Sequence, residues 1–370
     1  MRVLLLDQFS DPGGAQQCLL DLLPAIRERG WQARVGLPGE GELFERVRAL
    51  GFGAERVDCG PYRSGKKSAA DLTRFARGTP RLAWQIRAMA KRMDASLIYV
   101  NGPRLLPATA MAATHRPVLF HSHSYVPPGF GRRLAGAALR RTGARVVGNC
   151  RFVAEAWRDY VPEQISVVLN GVAGPLSPPQ RARDHRAPAI GCVGRIAPEK
   201  GQREFVKAAS LIHRAFPESC FYIYGAALFS DQGAVQYDAE VRAAAAGLPV
   251  EFPGWVADVY SALADLDLLL VPSTGQEATT RVILEAFAAG VPVVAFPSGG
   301  IPEVIAEGSD GLLATSVEEM ARMVVDLLSD DRARLTAMSR AARESWCSKF
   351  TLDRYRSQIL ETMERCTLEA

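Results

Sequence analysis

Short apolar runs alternate with amphipathic segments along almost the whole chain, and this alternation constrains the fold more than any other feature. Runs such as Val3–Asp7 and Leu97–Val100 have the length of buried strands, and the segments between them have helical spacing. Such alternation predicts α/β architecture, with parallel sheets covered by helices on both faces. The other predicted strands are Ala33–Leu37, Val118–His121, Arg145–Val147, Ser166–Leu169, Ala189–Val193, Phe221–Tyr224, Val250–Phe252, Leu266–Val271 and Val291–Ala295. The predicted helices include Ala15–Arg29, Glu42–Leu50, Arg81–Met93, Gln202–Arg214, Arg281–Ala289 and Val317–Leu328.

The length of 370 residues indicates two domains, because a single core rarely grows so large. Residues 174–188 hold four prolines and few apolar side chains, which is typical of a linker. We therefore predict one domain over 1–173, a linker over 174–188 and a second domain over 189–350. Doubly wound sheets bind ligands at the carboxyl ends of their strands, so two such domains predict a cleft between two binding edges.

Composition favours an ordinary globular protein, with 48% hydrophobic and 23% charged residues. No apolar stretch approaches the roughly 20 residues that span a bilayer, and the first apolar run is too short for a signal peptide. The seven cysteines are widely scattered without a CxxC pair, which argues against a cysteine-based zinc site and favours reduced thiols. We expect a cytoplasmic protein.

The charge is unevenly distributed. Residues 1–175 contain 25 Lys+Arg against 14 Asp+Glu, a net +11, and the remainder contains 19 against 26, a net −7. The cations of the first half form two groups: Arg63, Lys66, Lys67, Arg74, Arg77, Arg81, Arg87, Lys91 and Arg92, then Arg132, Arg133, Arg140, Arg141 and Arg145. Such a surface suits nucleic acid, an anionic membrane or a phosphorylated substrate, although solvated Arg-rich helices explain it equally well.

An apolar stripe of Leu82, Ile86, Met89 and Met93 accompanies the first cationic group. Our hypothesis is a peripheral contact with an anionic membrane, such as the inner membrane surface, or with a polyanionic acceptor, and we expect no nucleic-acid partner. The alternative is that the stripe packs on the sheet and the cations are only solvated.

Two loops of the first half carry candidate binding groups. Gly13 and Gly14 lie between the first strand and a helix, where backbone N–H groups can approach an anion, although glycine pairs are also common in such turns. His121 and His123 lie at the end of a strand, and alternation puts their rings on one face. They lack a nearby third ligand, so we expect a hydrogen-bonding role rather than a metal site.

The second half contains a basic turn and a pair of acids. Residues 194–201 read GRIAPEKG, in which Arg195 and Lys200 precede a helix N-terminus; together they predict a diphosphate site, with a solvated basic turn as the alternative. Residues 277–287 read EATTRVILEAF, with two glutamates separated by seven residues and two threonines that can cap the helix. Carboxylates in a cleft accept hydrogen bonds from vicinal hydroxyls, as in sugars and ribose.

Taken in order, these motifs resemble those of retaining glycosyltransferase family four, also described as glycosyl transferases group 1. The matching segments are GGA at 13–15, HSH at 121–123, NGV at 170–172, GRIAPEKG at 194–201, GWV at 254–256, VPS at 271–273, the EX7E pair at 277 and 285, AAGVPVVA at 288–295 and SGGIPE at 298–303. The resemblance implies the GT-B fold, in which two Rossmann-like domains face each other across a cleft. It also implies an N-terminal acceptor domain, a C-terminal nucleotide-sugar donor domain, and a last helix, within 351–370, that crosses back onto the first domain.

The resemblance assigns roles to individual residues. Arg195 and Lys200 would hold the donor diphosphate, Glu277 the transferred sugar and Glu285 the ribose. His123, with His121 as the second choice, would contact the donor sugar near the reacting carbon. The helix-opening residues Thr279, Thr280, Arg281 and Val282, together with Gly13 and Gly14, would supply further donor contacts. No metal or other cofactor is implied.

One difference bears on the donor. Many relatives carry Phe-Gly where this chain has Thr279-Thr280, and losing the glycine changes how closely the backbone approaches the donor. The resemblance as a whole implies transfer of a hexose-type sugar from a nucleoside diphosphate sugar to a hydroxyl of a glycan, a lipid-linked glycan or a small molecule. The alternatives are a nucleotide-sugar 2-epimerase of similar fold and a catalytically silent, membrane-associated scaffold.

Overall fold

The chain separates into two compact units, each built around its own sheet. The structure is a computed structural model that describes residues 1–11, 13–59, 69–113, 115–175, 187–227, 232–329 and 333–369. The first unit comprises Met1–Asn170 and Asp353–Ala370, and the second comprises Gly171–Leu352. Most of the predicted linker, from residue 176 to 186, lies outside the described residues.

The first unit contains a seven-stranded parallel sheet in the order β3-β2-β1-β4-β5-β6-β7. Its strands are β1 (Arg2–Leu6), β2 (Gln32–Leu37), β3 (Gly53–Arg56), β4 (Leu97–Val100), β5 (Val118–Ser122), β6 (Arg145–Gly148) and β7 (Ile165–Val167). Its helices are α1 (Gly14–Glu28), α2 (Glu42–Ala49), α3 (Ala69–Arg92), α4 (Leu106–Ala112), α5 (Phe130–Thr142) and α6 (Arg151–Glu155). The winding direction reverses between β1 and β4, and doubly wound sheets bind ligands at such a point.

The strands of this sheet are apolar on both sides because helices cover both faces. One face, which includes Leu4, Val100 and Phe120, packs against the buried sides of α3, α4 and α5. Tyr355, near the start of the last helix, is fully buried, and its hydroxyl lies 3.5 Å from the backbone oxygen of Cys18 on α1.

The second unit repeats this topology in a six-stranded parallel sheet, with the order β10-β9-β8-β11-β12-β13. Its strands are β8 (Ala189–Val193), β9 (Cys220–Tyr224), β10 (Val250–Gly254), β11 (Leu268–Val271), β12 (Val293–Ala295) and β13 (Gly311–Leu313). The remaining helices are α7 (Gln202–Ala215), α8 (Gln232–Ala244), α9 (Val259–Ala264), α10 (Arg281–Ala288), α11 (Val317–Ser329), α12 (Ala333–Lys349) and α13 (Leu352–Leu368), the last of which belongs mostly to the first unit. Here the reversal falls between β8 and β11.

The predicted fold class is confirmed, and the strand assignments hold to within two residues at each end. Strands β3 and β13 were not predicted, because β3 is polar and β13 has only three residues. Helix α3 begins twelve residues before the predicted start at Arg81 and runs through Pro80. The Thr79 hydroxyl, next to this proline, donates to the Phe75 carbonyl one turn earlier at 2.8 Å. Among the helices that the structure describes, none combines the length and apolar character needed to cross a bilayer.

Candidate functional site

The basic turn of the second unit follows β8, at the point where the winding direction reverses. Gly201 ends the turn in the left-handed region, at φ +73°, and α7 begins at the next residue. A Cβ at this position would lie 1.8 Å from the Pro272 carbonyl oxygen, so only glycine allows the turn to pack against the chain that follows β11. The two loops that carry the predicted site residues are therefore in direct contact.

An ion pair joins these loops. The Lys200 Nζ lies 2.7 Å from the Glu277 Oε1, and the two side chains are 26% and 14% exposed. The sequence predicted separate roles for these residues, one toward a diphosphate and one toward a sugar. The structure places them together, within reach of the same bound molecule.

Arg195 is positioned by neighbours on its own turn. Its guanidinium forms an ion pair with Glu199, and Gln202 holds the backbone below it, donating to the Arg195 carbonyl at 2.9 Å and accepting from the Ala197 N–H at 3.3 Å. Burial acts to raise the pKa of Glu199, but a backbone hydrogen bond and the charges of Arg195 and Lys200 outweigh it, so the pKa is lowered. Gln202 is almost fully buried and was missed by sequence reasoning, because a glutamine in the first turn of a helix is ordinarily exposed.

The loop that carries Glu277 is held by the loop that follows β12. The Glu277 carbonyl accepts a hydrogen bond from the Gly300 N–H at 2.9 Å. Gly299 has φ +57°, and a Cβ there would lie 1.9 Å from the Glu277 oxygen. On its other side, the loop donates from the Gly275 N–H to the Glu199 carbonyl at 3.2 Å. The two glycines of the SGGIPE segment thus position Glu277.

Helix α10 completes the group with its N-terminus. Thr280 occupies the N-cap position, but contrary to the expectation that it caps the helix, its side chain makes no capping hydrogen bond. Thr280 and Val282 line a small pocket together with Lys200. The first N–H groups of a helix lack intrahelical partners and attract anions. Thr279 is buried, and Glu285 lies one turn along the helix, with its Oε1 3.6 Å from the Arg281 Nε.

The first unit has a different group at the corresponding reversal of its sheet. Asp7 follows β1 and Asn101 follows β4, and both are buried. The Asp7 carboxylate accepts from the Asn101 Nδ2 at 2.5 Å, from the Gln16 Nε2 at 2.9 Å and from the Phe9 N–H at 2.9 Å. Burial outweighs these hydrogen bonds and raises the pKa of Asp7 to about 6. The point where the winding of the first sheet reverses therefore holds a buried carboxyl, Asp7, whose pKa is raised toward neutral pH.

Asn101 connects that carboxyl to His123. The Asn101 amide nitrogen donates to Asp7 and, at 3.1 Å, to the Ala15 carbonyl, so its oxygen faces the His123 Nε2 at 2.6 Å. Because that oxygen can only accept, the His123 Nε2 carries a proton. The network thus fixes the tautomer and the orientation of a partly exposed imidazole.

His121 has a different environment. Its ring lies beside that of His123, with centroids 3.8 Å apart, as alternation along the strand predicts. It is buried, however, and its Nδ1 lies 2.6 Å from the Tyr99 hydroxyl. Burial, with a smaller contribution from His123, holds the pKa of His121 well below its usual range, so the ring is neutral at pH 7. Within the described part of the chain, no group of three His, Cys, Asp or Glu side chains could hold a metal ion.

The glycine loop is part of the same network. Helix α1 begins at Gly14 with Gly13 as its N-cap, and a Cβ on Gly13 would lie 2.8 Å from the Gln16 Oε1. Gly13 therefore leaves room for the glutamine that binds Asp7. Asp7, Gln16 and Asn101 were not predicted; the available signal was a polar residue directly after each of two fully apolar strands.

The fold and the two groups of polar side chains indicate the general class of this protein. Two parallel, doubly wound sheets of seven and six strands form the GT-B fold of glycosyltransferases. The crystal structure of HepE from Anabaena in complex with UDP superposes with a TM-score of 0.83 at 26% identity, covering 99% of this chain and 100% of that one. The same protein is also known in complex with UDP-glucose.

Sequence comparisons identify the family. Residues 12–173 match the model of Glycosyltransferase Family 4, and residues 187–330 match that of Glycosyl transferases group 1. The chain belongs to this family of glycosyltransferases.

Among its relatives is a GDP-mannose-dependent α-(1-6)-phosphatidylinositol monomannoside mannosyltransferase of Mycolicibacterium smegmatis. It is 27% identical over 79% of this chain and 82% of the relative. A 2-deoxystreptamine glucosyltransferase of Streptomyces kanamyceticus is 34% identical over 48% of this chain and 46% of the relative.

Proposed function

We propose that this chain transfers a hexose-type sugar from a nucleoside diphosphate sugar to an acceptor hydroxyl with retention of anomeric configuration. The observation that carries the proposal is the convergence of Lys200, Glu277 and the α10 N-terminus at the reversal of the second sheet. Relatives named for mannosyl and glucosyl transfer, and a structural neighbour that binds UDP-glucose, support a hexose donor.

The diphosphate is the part of the donor that this group suits best. Transfer breaks the bond between the anomeric carbon and a phosphate oxygen, and the electron pair leaves with the diphosphate. Arg195 and Lys200 would supply two cations where that charge develops, and the positive end of the α10 dipole would add to them. Loss of one such preorganised donor costs on the order of 3 kcal/mol of transition-state stabilisation.

The ion pair between Lys200 and Glu277 has a role in this scheme. A bound diphosphate competes with the Glu277 carboxylate for the ammonium group, because it carries more charge. Glu277 then accepts hydrogen bonds from hydroxyls of the transferred sugar, and Lys200 stays between carboxylate and phosphate. Glu285, held near Arg281, accepts from the vicinal hydroxyls of the ribose.

We propose that His123, in preference to His121, is the histidine that contacts the donor sugar. The support is its partial exposure and the ring orientation that Asn101 fixes, whereas His121 is buried against Tyr99. Gly13 and Gly14 remain predicted donor contacts through their backbone.

We further propose that the reaction needs no metal ion. Magnesium commonly neutralises a diphosphate leaving group, and here Arg195 and Lys200 supply that charge. Both uracil and guanine are candidates for the base of the donor, because HepE binds UDP and the mannosyltransferase relative is named for GDP-mannose. The acceptor stays open between a glycan, a lipid-linked glycan and a small molecule, and a cytoplasmic location remains a prediction.

Product analysis with a panel of labelled nucleotide sugars tests the proposal. The protein is incubated with UDP- and GDP-linked hexoses, with and without a mixture of hydroxyl acceptors, and both the released nucleotide and the labelled product are measured. We expect the labelled sugar to be found in a glycoside, and we expect this glycoside to form only when an acceptor is present. Formation of a 2-epimer would instead indicate an epimerase. Binding of a donor without turnover under every acceptor condition would indicate a silent scaffold, and either result would overturn the proposal.

A further inference from the structure

The two cationic groups of the sequence meet on one surface of the first unit. Helices α3, α4 and α5 pack side by side over the same face of the sheet, through buried residues such as Ile86, Leu106 and Leu139. We call their outward surface the helical layer. It lies on one face of the sheet, whereas the candidate site lies at the ends of the strands.

The buried side of the helical layer settles the role of the apolar stripe. Leu82, Ile86 and Met89 are at most 3% exposed and belong to the core, and Met93 packs against it. The stripe therefore cannot contact a membrane, and this part of the hypothesis is wrong. Three cations of the first group, Arg63, Lys66 and Lys67, lie outside the described residues.

The outward side is strongly cationic. Helix α3 carries six Lys or Arg and one acid, α5 carries four Arg and no acid, and α4 carries no charge. Among the residues that the structure describes, three of these ten cations form ion pairs, namely Arg74 with Asp71, Arg81 with Asp58 and Arg92 with Glu55. The layer keeps a large excess of positive charge.

Large apolar side chains project from the same surface. Trp84 is 70% exposed and Phe130 is 64% exposed, and Met111 is also exposed. Along α3, Arg77 and Lys91 lie seven residues before and after Trp84 and so share its face. Tryptophan flanked by cations on a helix face is typical of a protein that rests in a membrane interface.

A concave site adjoins the layer. Arg87 and Arg141 of the layer, with Arg116 and Arg145, line a pocket of about 660 Å³ at the amino-terminal edge of the sheet. Glu369, which pairs with Arg145, is the acid among the lining residues. Guanidinium groups gathered around one concavity suit the phosphate of a lipid headgroup.

We propose that the helical layer docks the protein on an anionic phospholipid surface, with Trp84 and Phe130 in the interface and the cations on headgroup phosphates. Charge complementarity selects an anionic surface, and Trp84 between Arg77 and Lys91 on one helix face matches the interfacial arrangement of proteins that rest on a membrane. Aromatic rings also stack on nucleic-acid bases, so binding to RNA is one outcome of the test. The proposal does not rest on the transferase assignment, because it uses a different surface.

Vesicle sedimentation tests this surface. Binding of the full chain is measured with phosphatidylglycerol-containing and with pure phosphatidylcholine vesicles, at about 0.1 M and about 1 M salt, where the Debye length falls from roughly 10 to 3 Å. We expect binding to the anionic vesicles at low salt alone, accompanied by a blue shift of tryptophan emission. The double variant Arg77→Glu/Lys91→Glu should weaken that binding by about 100-fold or more, since each surface cation contributes strongly. Trp84→Ala should weaken it about tenfold and remove the blue shift.

Matched variants in the second unit are the controls. Arg334→Glu/Arg340→Glu makes the same charge change on exposed positions of α12, and Trp255→Ala removes a tryptophan that is 60% exposed. Both should bind vesicles like the wild type, and thermal melting of every variant confirms folding. Equal binding to neutral vesicles, an equal loss in the control variants, or binding to RNA without binding to anionic vesicles would each overturn the proposal.

Discussion

The two sheets have the same winding order, yet different side chains lie where the winding direction of each sheet reverses. In the second unit, Lys200 and Glu277 form an ion pair that solvent can reach. In the first unit, Asp7 and Asn101 form a hydrogen-bonded network without a cation, and Asp7 has no solvent exposure. A partly exposed ion pair can exchange partners with a charged ligand, whereas a buried network holds a side chain in one orientation. The shared topology therefore carries a group suited to an anion in one unit and a group that orients His123 in the other.

The largest effect should come from removing the cations of the second unit. Lys200→Ala and Arg195→Ala should each lower turnover by roughly 10²–10³-fold, by analogy with loss of one preorganised oxyanion donor. Steady-state kinetics with the best donor measures this, and melting temperatures should change little. Lys207→Ala, on an exposed position of α7, is the matched control. Near wild-type rates in the first two variants would mean that the diphosphate assignment is wrong.

Next in size is the loss of Asn101 from the buried network. Asn101→Ala removes a donor to the Asp7 carboxylate and the acceptor of His123, so we expect a loss of about 2–3 kcal/mol in the free energy of unfolding. Chemical denaturation measures this loss. Thr362→Ala is a suitable control, because its buried hydroxyl donates within its own helix to Gln358. A loss no larger than that of the control would show that the network does not stabilise the first unit.

A smaller effect should appear in the pH dependence of stability. Between about pH 4 and pH 6 the folded protein keeps a proton on Asp7 that the unfolded chain has released. Stability should therefore fall as the pH rises through this window, by about 1–3 kcal/mol. Asp7→Asn should remove this component. The lowered pKa of His121 destabilises the fold below about pH 6.5 in both proteins, so it cancels in their difference. Parallel stability curves for the wild type and the variant would contradict the assignment to Asp7.

The comparison also shows what the sequence could predict. Periodicity predicted most of the strands and both sheets, because parallel strands are continuous apolar runs. The charged groups of the second unit were visible because Arg195, Lys200 and Glu277 lie in short motifs of fixed spacing. Asp7 and Asn101 were not, because 94 residues separate them and only the winding order brings their strands together.

The helical layer shows the same limit. Its cations were readable in the sequence, but the sequence left open whether the apolar stripe of α3 packs on the sheet or faces a membrane, and the structure places the stripe in the core. Trp84 is exposed because Leu82 and Ile86 of the same helix pack in the core and turn its side of the helix outward. Spacing thus predicts that a helix has two faces, and packing decides which one is buried.

Direct titration of nucleoside diphosphates in excess EDTA tests the central claim that the second unit binds a diphosphate with its own cations. UDP and GDP are titrated calorimetrically into the wild type, Arg195→Ala and Lys200→Ala. We predict that the wild type binds at least one of the two without metal, and that each variant binds it at least about tenfold more weakly, the equivalent of 1.4 kcal/mol. Binding that appears only when a divalent ion is restored, or variants that bind as tightly as the wild type, would contradict the account.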